Sequence, residues 1–599
     1  MKYFIVLVLT TALHSISIGQ TIEGKFDYTH TSYNQDDITN TVKYAEDIIQ
    51  FLESKNTKDS TYVQYLELFR YCYNQLGDID AEINSNNKLL NYYRANNSMN
   101  TDSYISVLDA ISENYRAVGN YAQYEVILKE KLKIEKSVFK TDKTPNSINS
   151  HISLALYYDQ FQTFDKALHH YSSALDILKT HKIDYPLGYN LVYKGLININ
   201  YQQSNYDKSI EYGYAKKKIT EGTLGKKSDE YISDITVISA NYMVLGKYQK
   251  ALELLTEAKS ICKSFSVGKD AYTNLLNHVG SLFRRMGKYN DALDTYKEAI
   301  DTIEITSKPD YVLKSNLLQN IGNIYSRLDK HKLANKAFLE CLKLRKTHLG
   351  KDHPEYAKCL GNLGSNYLDM SDLVSAEKYY LEENNIYTNS ISKSHNSYAT
   401  SLNHLASLNY HLNNYTEGIS LQKESQTIIQ NKFGENHPEY ALAHNYTGSF
   451  YETLGDYKNA LLYYQNSLSI QHNVIGTEHP DYANTLAYIA SVYSKYGDYE
   501  TSKAYRQQVI EINKSVYGTE HSSYAHSLQS MGYLAINQGE HDKAIILFKE
   551  ASELLLINLG ESHPEYIESI AQLGYAYLIK KDYSNAKKLL NKTLNFQKK

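Results

Sequence analysis

Six histidines recur in the C-terminal half of this 599-residue chain at intervals of 42 residues. Each lies in a variant of the motif Gly-x-x-His-Pro-x-Tyr-Ala, such as FGENHPEYA at residues 433–441. The six are His353, His395, His437, His479, His521 and His563. Histidine serves proteins as a metal ligand, a general base or a pH-sensitive group, so the repetition raises three chemical functions.

The spacing of these histidines argues against metal binding and catalysis. Zinc ligands lie about 2.0–2.1 Å from one ion, whereas equivalent side chains of stacked repeats are separated by two helix packings. General-base catalysis needs one site with a nucleophile, and six copies do not fit that requirement. Sensing of pH would require burial, which the sequence does not reveal. We therefore predict no catalytic residue, no metal site and no cofactor.

A structural function explains the motif better. Proline is favoured at the first position of a helix, and the acidic residue that follows it suits the positive helix N-terminus. Where proline is missing, Asn396 or Ser522 takes its place, and these residues also favour helix starts. We predict that each histidine occupies the N-cap, where its ring packs on the preceding turn or accepts a backbone N–H.

The 42-residue period extends beyond the histidines and indicates a repeat architecture. A second marker, Gly-x-Tyr-x-x-Ala, carries the series back to about residue 60 and gives thirteen repeats. Each repeat reads as two helices, for example residues 480–496 with apolar residues at three- and four-residue spacing, then a second helix to about Ser515. We predict an all-α solenoid of about thirteen antiparallel helix pairs.

A small residue precedes the marker by twelve positions and is often glycine, as at Gly322 and Gly448. Glycine inside a helix costs about 1 kcal/mol, so we expect close approach of the paired helix, whose marker position is also small. An aromatic residue follows the small residue by three positions in ten of thirteen repeats. Its place beside the closest helix contact favours core packing over a stacking platform for ligands.

These residues carry a family resemblance. The stretches LNHLASLNYHLNNYTEGISL (402–421) and YTGSFYETLGDYKNALLYYQNSLSI (446–470) resemble the tetratricopeptide repeat, without its first-helix tryptophan and terminal proline. The 42-residue period resembles the longer variant found in kinesin light chains and many exported bacterial proteins. The resemblance implies a right-handed superhelix with the first helices lining a concave groove.

In related repeats this groove binds peptides through polar side chains of the first helix. The resemblance therefore implies a protein or extended peptide as partner. The matching candidates in this chain are Asn277, His278, Arg284, Asn320, Asn323, Arg327, Asn362, Asn403, His404 and Asn445. Asparagine can pair with both N–H and C=O of an extended backbone, and arginine with a carboxylate. The alternative is that these are simply solvated helix positions.

The N-terminus MKYFIVLVLTTALHSISIGQ has the pattern of a secretory signal peptide, with a basic residue, an apolar run and a small-x-small site. We predict residues 1–19 as signal peptide, 20–59 as a segment with a leading helix, 60–235 as degenerate repeats and 236–599 as well-formed repeats. Export to the periplasm or outside the cell follows. About ten apolar residues are too few to cross a bilayer, which needs about 20, so we expect no transmembrane segment.

The function expected is a non-catalytic scaffold for protein–protein interaction. The alternative is the sensor arm of a signalling system whose effector, a caspase-like (CHAT-type) protease or a histidine kinase, is not in this chain. A net charge of −4 gives no footprint for nucleic acid. The last helix leaves an apolar edge, which suggests self-association, a partner or a further module. Cys341 and Cys359 can meet across neighbouring helices, but buried free thiols are favoured.

Overall fold

The computed structural model of the protein describes residues 38–56, 58–99, 101–139, 145–161, 163–264, 268–305, 309–390, 396–561 and 563–597. Within these ranges the chain consists of α-helices, loops and one 3-10 turn, and they contain no strand. The predicted signal peptide and His395 lie outside the described residues.

The described α-helices, in chain order, are α1 (Ile38–Ser54), α2 (Ser60–Leu76), α3 (Ile79–Ala95), α4 (Asp102–Ala117), α5 (Tyr121–Phe139), α6 (Ile148–Gln160), α7 (Phe164–Thr180), α8 (Pro186–Gln202), α9 (Tyr206–Thr223), α10 (Asp229–Val244), α11 (Tyr248–Ser264), α12 (Lys269–Arg285), α13 (Tyr289–Glu304), α14 (Tyr311–Arg327), α15 (His331–His348), α16 (Pro354–Asp369), α17 (Leu373–Ser390), α18 (Asn396–His411), α19 (Tyr415–Phe433), α20 (Pro438–Thr453), α21 (Tyr457–Val474), α22 (Pro480–Tyr496), α23 (Tyr499–Tyr517), α24 (Ser522–Asn537), α25 (His541–Leu559), α26 (Pro564–Ile579) and α27 (Tyr583–Gln597). Helix α1 leads the array, and α2 to α27 form consecutive pairs. This confirms the all-α solenoid of helix pairs predicted from the period.

The chain divides into two compact units, Met1–Ile199 and Asn200–Lys599. The described part of the first unit is built around a core that includes Leu66, Leu89 and Val107. The second unit contains the end of α8 and all of α9 to α27. It holds the histidine motifs and the predicted groove residues, so the candidate site belongs to this unit. The predicted boundary at residues 235 and 236 stays a prediction.

Within several pairs, an aromatic ring of the second helix lies against a glycine of the first. A Cβ atom built on Gly322 in α14 would lie 2.5 Å from Cε1 of Phe338 in α15, and one on Gly448 would lie 2.6 Å from Cε1 of Tyr464. Such distances are far below van der Waals contact, so only glycine leaves room for the ring. The sequence predicted that the two helices approach closely at this glycine. It placed the small marker residue of the second helix, such as Ala334, against the glycine, but the residue that contacts it is the aromatic one a turn later.

The first helices of successive pairs also contact one another, as α10 does with α12, α14 with α16 and α16 with α18. In a curved array of stacked repeats, helices on the inner side lie closest together and line the concave surface. The concave face of the second unit is therefore formed by first helices, including α12, α14, α16, α18 and α20.

Cys341 and Cys359 are both fully buried free thiols, as the sequence favours. The Cys359 Sγ donates a hydrogen bond to the Phe338 carbonyl at 3.4 Å. Burial raises the pKa of the Cys359 thiol, which keeps it protonated and unreactive. Among the described helices, none is long and apolar enough to cross a membrane.

Candidate functional site

The motif histidines begin the first helices of their repeats. In five of them the ring Nδ1 accepts the backbone N–H of the residue two positions on, at 3.0 to 3.2 Å. The five are His353, His437, His479, His521 and His563. That N–H lies in the first turn of the helix and has no partner within the helix. The prediction that these histidines are N-caps is confirmed.

Two of the rings also stack on the helix that precedes them. The His437 ring lies 4.3 Å from the Phe433 ring, and the His521 ring lies 4.2 Å from the Tyr517 ring, both nearly parallel. Phe433 and Tyr517 end the second helices α19 and α23. The cap therefore fixes the angle at which the chain passes from one repeat to the next.

The second ring nitrogen reaches a distant part of the chain. The His479 Nε2 lies 2.6 Å from the Val244 carbonyl oxygen, and the His563 Nε2 lies 3.2 Å from the Arg327 carbonyl oxygen. These contacts span 235 and 236 residues, more than five repeats. The backbone of Gln202 lies beside the His437 ring and raises its pKa against the effect of burial. The second unit is thus a superhelix in which one turn rests on the next.

Burial at these contacts changes the protonation of the rings. His437 and His479 are 9% and 7% exposed. Burial lowers the pKa of His437 and of His521 to about 4, although the backbone of Gln202 acts in the opposite direction on His437. Burial also lowers the pKa of His479, against the raising effect of Asp481. These rings are neutral at pH 7.

Several predicted groove residues bond to neighbours within the fold. The Asn320 Nδ2 donates to the Asn277 Oδ1 at 3.1 Å, between two successive first helices. The Asn445 Nδ2 donates to the Thr485 Oγ1 at 2.8 Å in the same way. These amides form polar links between repeats, which leaves them less available to a ligand.

His404 is likewise occupied. Its Nδ1 lies 2.8 Å from the Glu383 Oε2, and its ring stacks on Tyr380 at 5.0 Å. Glu383 is 1% exposed, and burial raises the pKa of its carboxyl despite the histidine beside it. His404 on α18 therefore satisfies a buried carboxyl group on α17 of the preceding repeat.

Asn323, Arg327 and Asn362 come together at one cavity of about 580 Å³. The remaining residues that line it are Ser326, Asp329, His331, Phe338, Ser365, Leu368, Asp369, Ser371, His411, His563, Pro564 and Glu565. One wall is built by the first helices α14 and α16 with the loops that follow them. The opposite wall is the start of α26, one superhelical turn later.

This cavity carries charges of both signs. Although burial opposes the charge, the Tyr289 hydroxyl and the carboxylates of Glu565 and Asp369 raise the pKa of Arg327. Although burial opposes ionisation, a hydrogen bond from His526 and the charge of Arg327 lower the pKa of Glu565. The His526 Nε2 lies 3.0 Å from the Glu565 Oε2. A cation and an anion therefore flank the asparagine amides.

The last three predicted residues, His278, Arg284 and Asn403, are half-buried on the first helices α12 and α18, outside this cavity. The Arg284 Nε and Asn403 Oδ1 atoms are buried and have no hydrogen-bond partner in the described part of the chain. Burial lowers the pKa of His278. Arg284 and Asn403 therefore leave unsatisfied polar atoms along the inner helices.

Two inner-face tyrosines were missed by the sequence reasoning. Tyr446 and Tyr488 occupy the position of His404 in the next two repeats and are 41% and 42% exposed. Burial nevertheless raises the pKa of both hydroxyl groups, and the nearby Asp481 acts in the same direction. The repeat period could have identified them, because they lie one and two 42-residue steps after His404. The contribution of His563 and Glu565 to the cavity had no sequence signal.

Stacked helix pairs with a polar concave face define an α-solenoid repeat protein. No group of three or more histidine, cysteine or acidic residues able to hold a metal ion occurs in the residues that the structure covers. A family profile described as Tetratricopeptide repeat matches residues 234–305, 270–347, 313–388, 397–471, 442–515, 487–557 and 527–599. These matches cover more than half of the sequence, and the chain belongs to the tetratricopeptide repeat family.

Solved structures with a similar fold include a protein of Podosopora anserina described as a kinesin light chain with nearly identical TPR-like repeats. It shares 21% identity, covers 34% of this chain and 96% of its own, and has a TM-score of 0.30. BtubC (BKLC) from P. vanneervenii shares 15% identity over 46% of this chain and 92% of its own, with a TM-score of 0.29. A comparison with curated proteins found no match.

Proposed function

We propose that this protein is a non-catalytic scaffold that holds an extended segment of a partner protein along the concave face of residues 200–599. Family membership supports protein–protein interaction in general. The observation that carries the finer proposal is the cavity of about 580 Å³ at which Asn323, Arg327 and Asn362 meet. The cavity is open, both polar and apolar groups line it, and two first helices build one of its walls.

The side chains of this cavity suit an extended backbone. An asparagine amide can donate to a peptide carbonyl and accept from a peptide N–H at the same time. Asn323 and Asn362 lie on adjacent repeats. They can therefore bind two separate peptide groups of the same partner segment. The Asn362 Nδ2 is buried without a partner in the described part of the chain, and such an unmet donor favours an additional acceptor.

The charged side chains of the cavity favour some partner sequences over others. Arg327 can pair with a carboxylate of the partner, and its planar group allows two parallel hydrogen bonds. Glu565 and Asp369 on the cavity wall oppose a run of acidic residues. The best fit is therefore a segment with one acidic side chain flanked by polar or basic residues, held in extended form.

A peptide selection with the full chain tests this proposal. Displayed random peptides are selected on the purified protein, and affinities of the recovered peptides are measured by fluorescence anisotropy. The variant N323A/R327A/N362A removes the three cavity side chains. We expect at least a tenfold loss of affinity, since each hydrogen bond to a charged or buried group contributes about 1–3 kcal/mol.

The matched control is N385A/N389A with Lys346→Ala, because these side chains are exposed on second helices. It changes the same number of polar residues outside the concave face. Unchanged affinity in the cavity variant, or an equal loss in the control, would show that the partner binds elsewhere.

We further propose that the protein acts after export, which rests on the signal-peptide pattern of residues 1–19. Expression of the full reading frame in a bacterial host, followed by fractionation, checks this. The expected product is an exported protein whose first residue lies near Gln20. Recovery of the intact N-terminus in the cytoplasm would contradict it.

A further inference from the structure

Successive turns of the superhelix meet through one recurring contact. Hydrogen bonds join the rings of His479 and His563 to the carbonyl oxygens of Val244 and Arg327, and the ring of His437 lies beside the backbone of Gln202. Gln202, Val244 and Arg327 are the last residues of the first helices α8, α10 and α14. The carbonyl groups of the last helical turn have no partner within the helix. The rings of His479 and His563 therefore supply hydrogen bonds to carbonyl groups at the C-termini of α10 and α14, one superhelical turn earlier.

The chemistry of the imidazole ring suits this contact. Because Nδ1 accepts the cap hydrogen bond from its own helix, Nε2 carries the proton and is the donor to the distant carbonyl. One neutral ring thus caps the N-terminus of its own helix and donates a hydrogen bond to the C-terminus of a helix one superhelical turn earlier. A protonated ring would lose the cap bond, and a shorter capping residue would not reach the carbonyl.

The ring of His521 approaches the equivalent place at the end of α12, but its buried Nε2 makes no hydrogen bond in the described part of the chain. A Cβ atom on Gly287, just after the end of α12, would lie 2.6 Å from the His521 Nε2. A Cβ atom on Gly246, just after the end of α10, would lie 3.0 Å from the Pro480 Cδ. Both glycines have positive φ values of 70° and 67°. They form the loop and also leave space for the approaching motif.

Apolar contacts accompany the hydrogen bonds. The Tyr517 ring lies 5.7 Å from the Tyr248 ring. Val516 and Tyr517 pack against the cluster that contains Met243, Tyr248 and Leu255. Tyr517 and Tyr248 belong to the same two turns that His479 and His521 join. The turn contact is therefore a small interface with its own apolar part.

We propose that His437, His479 and His563 hold successive turns of the superhelix together, and we call these three side chains clasps. The short distance between adjacent turns in the free protein then depends on them. Repeat geometry sets where the turns meet, and the three histidines keep them in contact. The closed state also completes the cavity of about 580 Å³, because His563, Pro564 and Glu565 form its far wall. The contact between turns is a property of the free protein and does not require the partner.

The test replaces the three clasps by asparagine in the full chain, H437N/H479N/H563N. Asparagine is a favoured N-cap, so the cap is retained while the reach to the distant carbonyl is lost. Small-angle X-ray scattering at pH 7.5 measures the radius of gyration and the maximum dimension. We expect both to increase relative to the wild type, with helix content by circular dichroism unchanged.

The control is His353→Asn, because His353 makes the same cap bond, at 3.1 Å to the Glu355 N–H, but has no part in the three clasps. We expect it to leave the dimensions unchanged. Wild-type dimensions in the triple variant, or equal expansion in His353→Asn, would overturn the proposal.

A measurement on the wild type covers the case in which the triple variant does not fold. Mass spectrometry follows exchange of the histidine C2 hydrogen at pH 7.5, which reports access of solvent to each ring. His437, His479 and His563 should exchange slowly compared with His472, which is exposed. Exchange at the same rate in all four would overturn the clasp.

Discussion

The Nε2 of His479 donates a hydrogen bond of 2.6 Å to the carbonyl oxygen of Val244, 235 residues earlier in the chain. The same ring caps the helix α22 through its Nδ1, which accepts the Asp481 N–H at 3.0 Å. A side chain that sequence periodicity identifies as the start of a repeat therefore also joins two turns of the superhelix. The two hydrogen bonds of this ring thus stabilise both the start of its own repeat and the contact between turns of the second unit.

The histidines make stability depend on pH. The pKa of His437 falls from 6.5 to about 4 in the folded protein because the ring is buried. Between these values the unfolded chain binds more protons, so stability rises with pH in this range and is lost as the pH falls toward 4. The loss reaches at most about 3 kcal/mol for His437. His521 behaves in the same way, and His526 and Arg327 add to the lowering of its pKa.

Thermal unfolding of the wild type and of H437N/H521N between pH 7.5 and pH 4.5 checks this prediction. The groups near His437 are the Phe433 ring and the Gln202 backbone, and His521 faces the Tyr517 ring. The difference in melting temperature between the two proteins should shrink as the pH falls. A difference that stays constant with pH would contradict the assignment of neutral buried rings.

Because the Phe338 ring lies against Gly322, we expect one added methyl group at this position to lower the free energy of unfolding. Gly322→Ala places a Cβ about 2.5 Å from the ring, and we expect a loss of about 1–3 kcal/mol from overpacking. The control is Gly222→Ala in α9, where no atom lies within 4 Å of the new Cβ. It should stabilise the protein by up to about 1 kcal/mol, since alanine is the better helix former. Urea unfolding measures both, and a neutral Gly322→Ala would show that the ring can move aside.

Arg345 predicts a further stability effect that the sequence did not indicate. Its side chain is 1% exposed, and it donates to the Gln319 Oε1 at 2.8 Å and to the Glu355 carbonyl at 2.6 Å. It also forms an ion pair with the Glu355 carboxylate at 3.1 Å. Arg345→Ala leaves the buried Gln319 acceptor unpaired, whereas the Glu355 carboxylate is 39% exposed and stays partly solvated, so we expect a loss of about 1–3 kcal/mol.

The neighbouring Lys346 is exposed and provides the control. Lys346→Ala should change the free energy of unfolding by less than about 0.5 kcal/mol. Arg345→Lys should also destabilise, because an ammonium group cannot reproduce the planar fork of donors. Full stability of Arg345→Lys would show that charge alone is sufficient at this position.

Local features were predictable from the sequence because they repeat. Proline, the acidic residue and the histidine marked the start of α22 at Pro480, and Gly518 marked the end of α23 after Tyr517, where its φ is +82°. The helix pairs follow from apolar residues at three- and four-residue spacing. Each of these signals acts within a few residues, so one sequence is enough to read it.

The contacts between turns were not predictable in this way. Whether His479 meets Val244 depends on a small rotation between adjacent repeats that accumulates over more than five of them. The same applies to the wall that His563 and Glu565 provide for the cavity. The link between Asn320 and Asn277 was missed for a different reason, since the resemblance places both on the inner face without saying whether they bond to each other.

The most direct test of the scaffold function is hydrogen–deuterium exchange of the full chain with and without a selected peptide. If the concave face binds the partner, backbone amides of the first helices α14 and α16 and of the start of α26 become protected in the complex. The second helices α17 and α19, which contribute no residue to the cavity, should keep the exchange rates of the free protein. Protection confined to α17 and α19 would contradict the proposed binding surface.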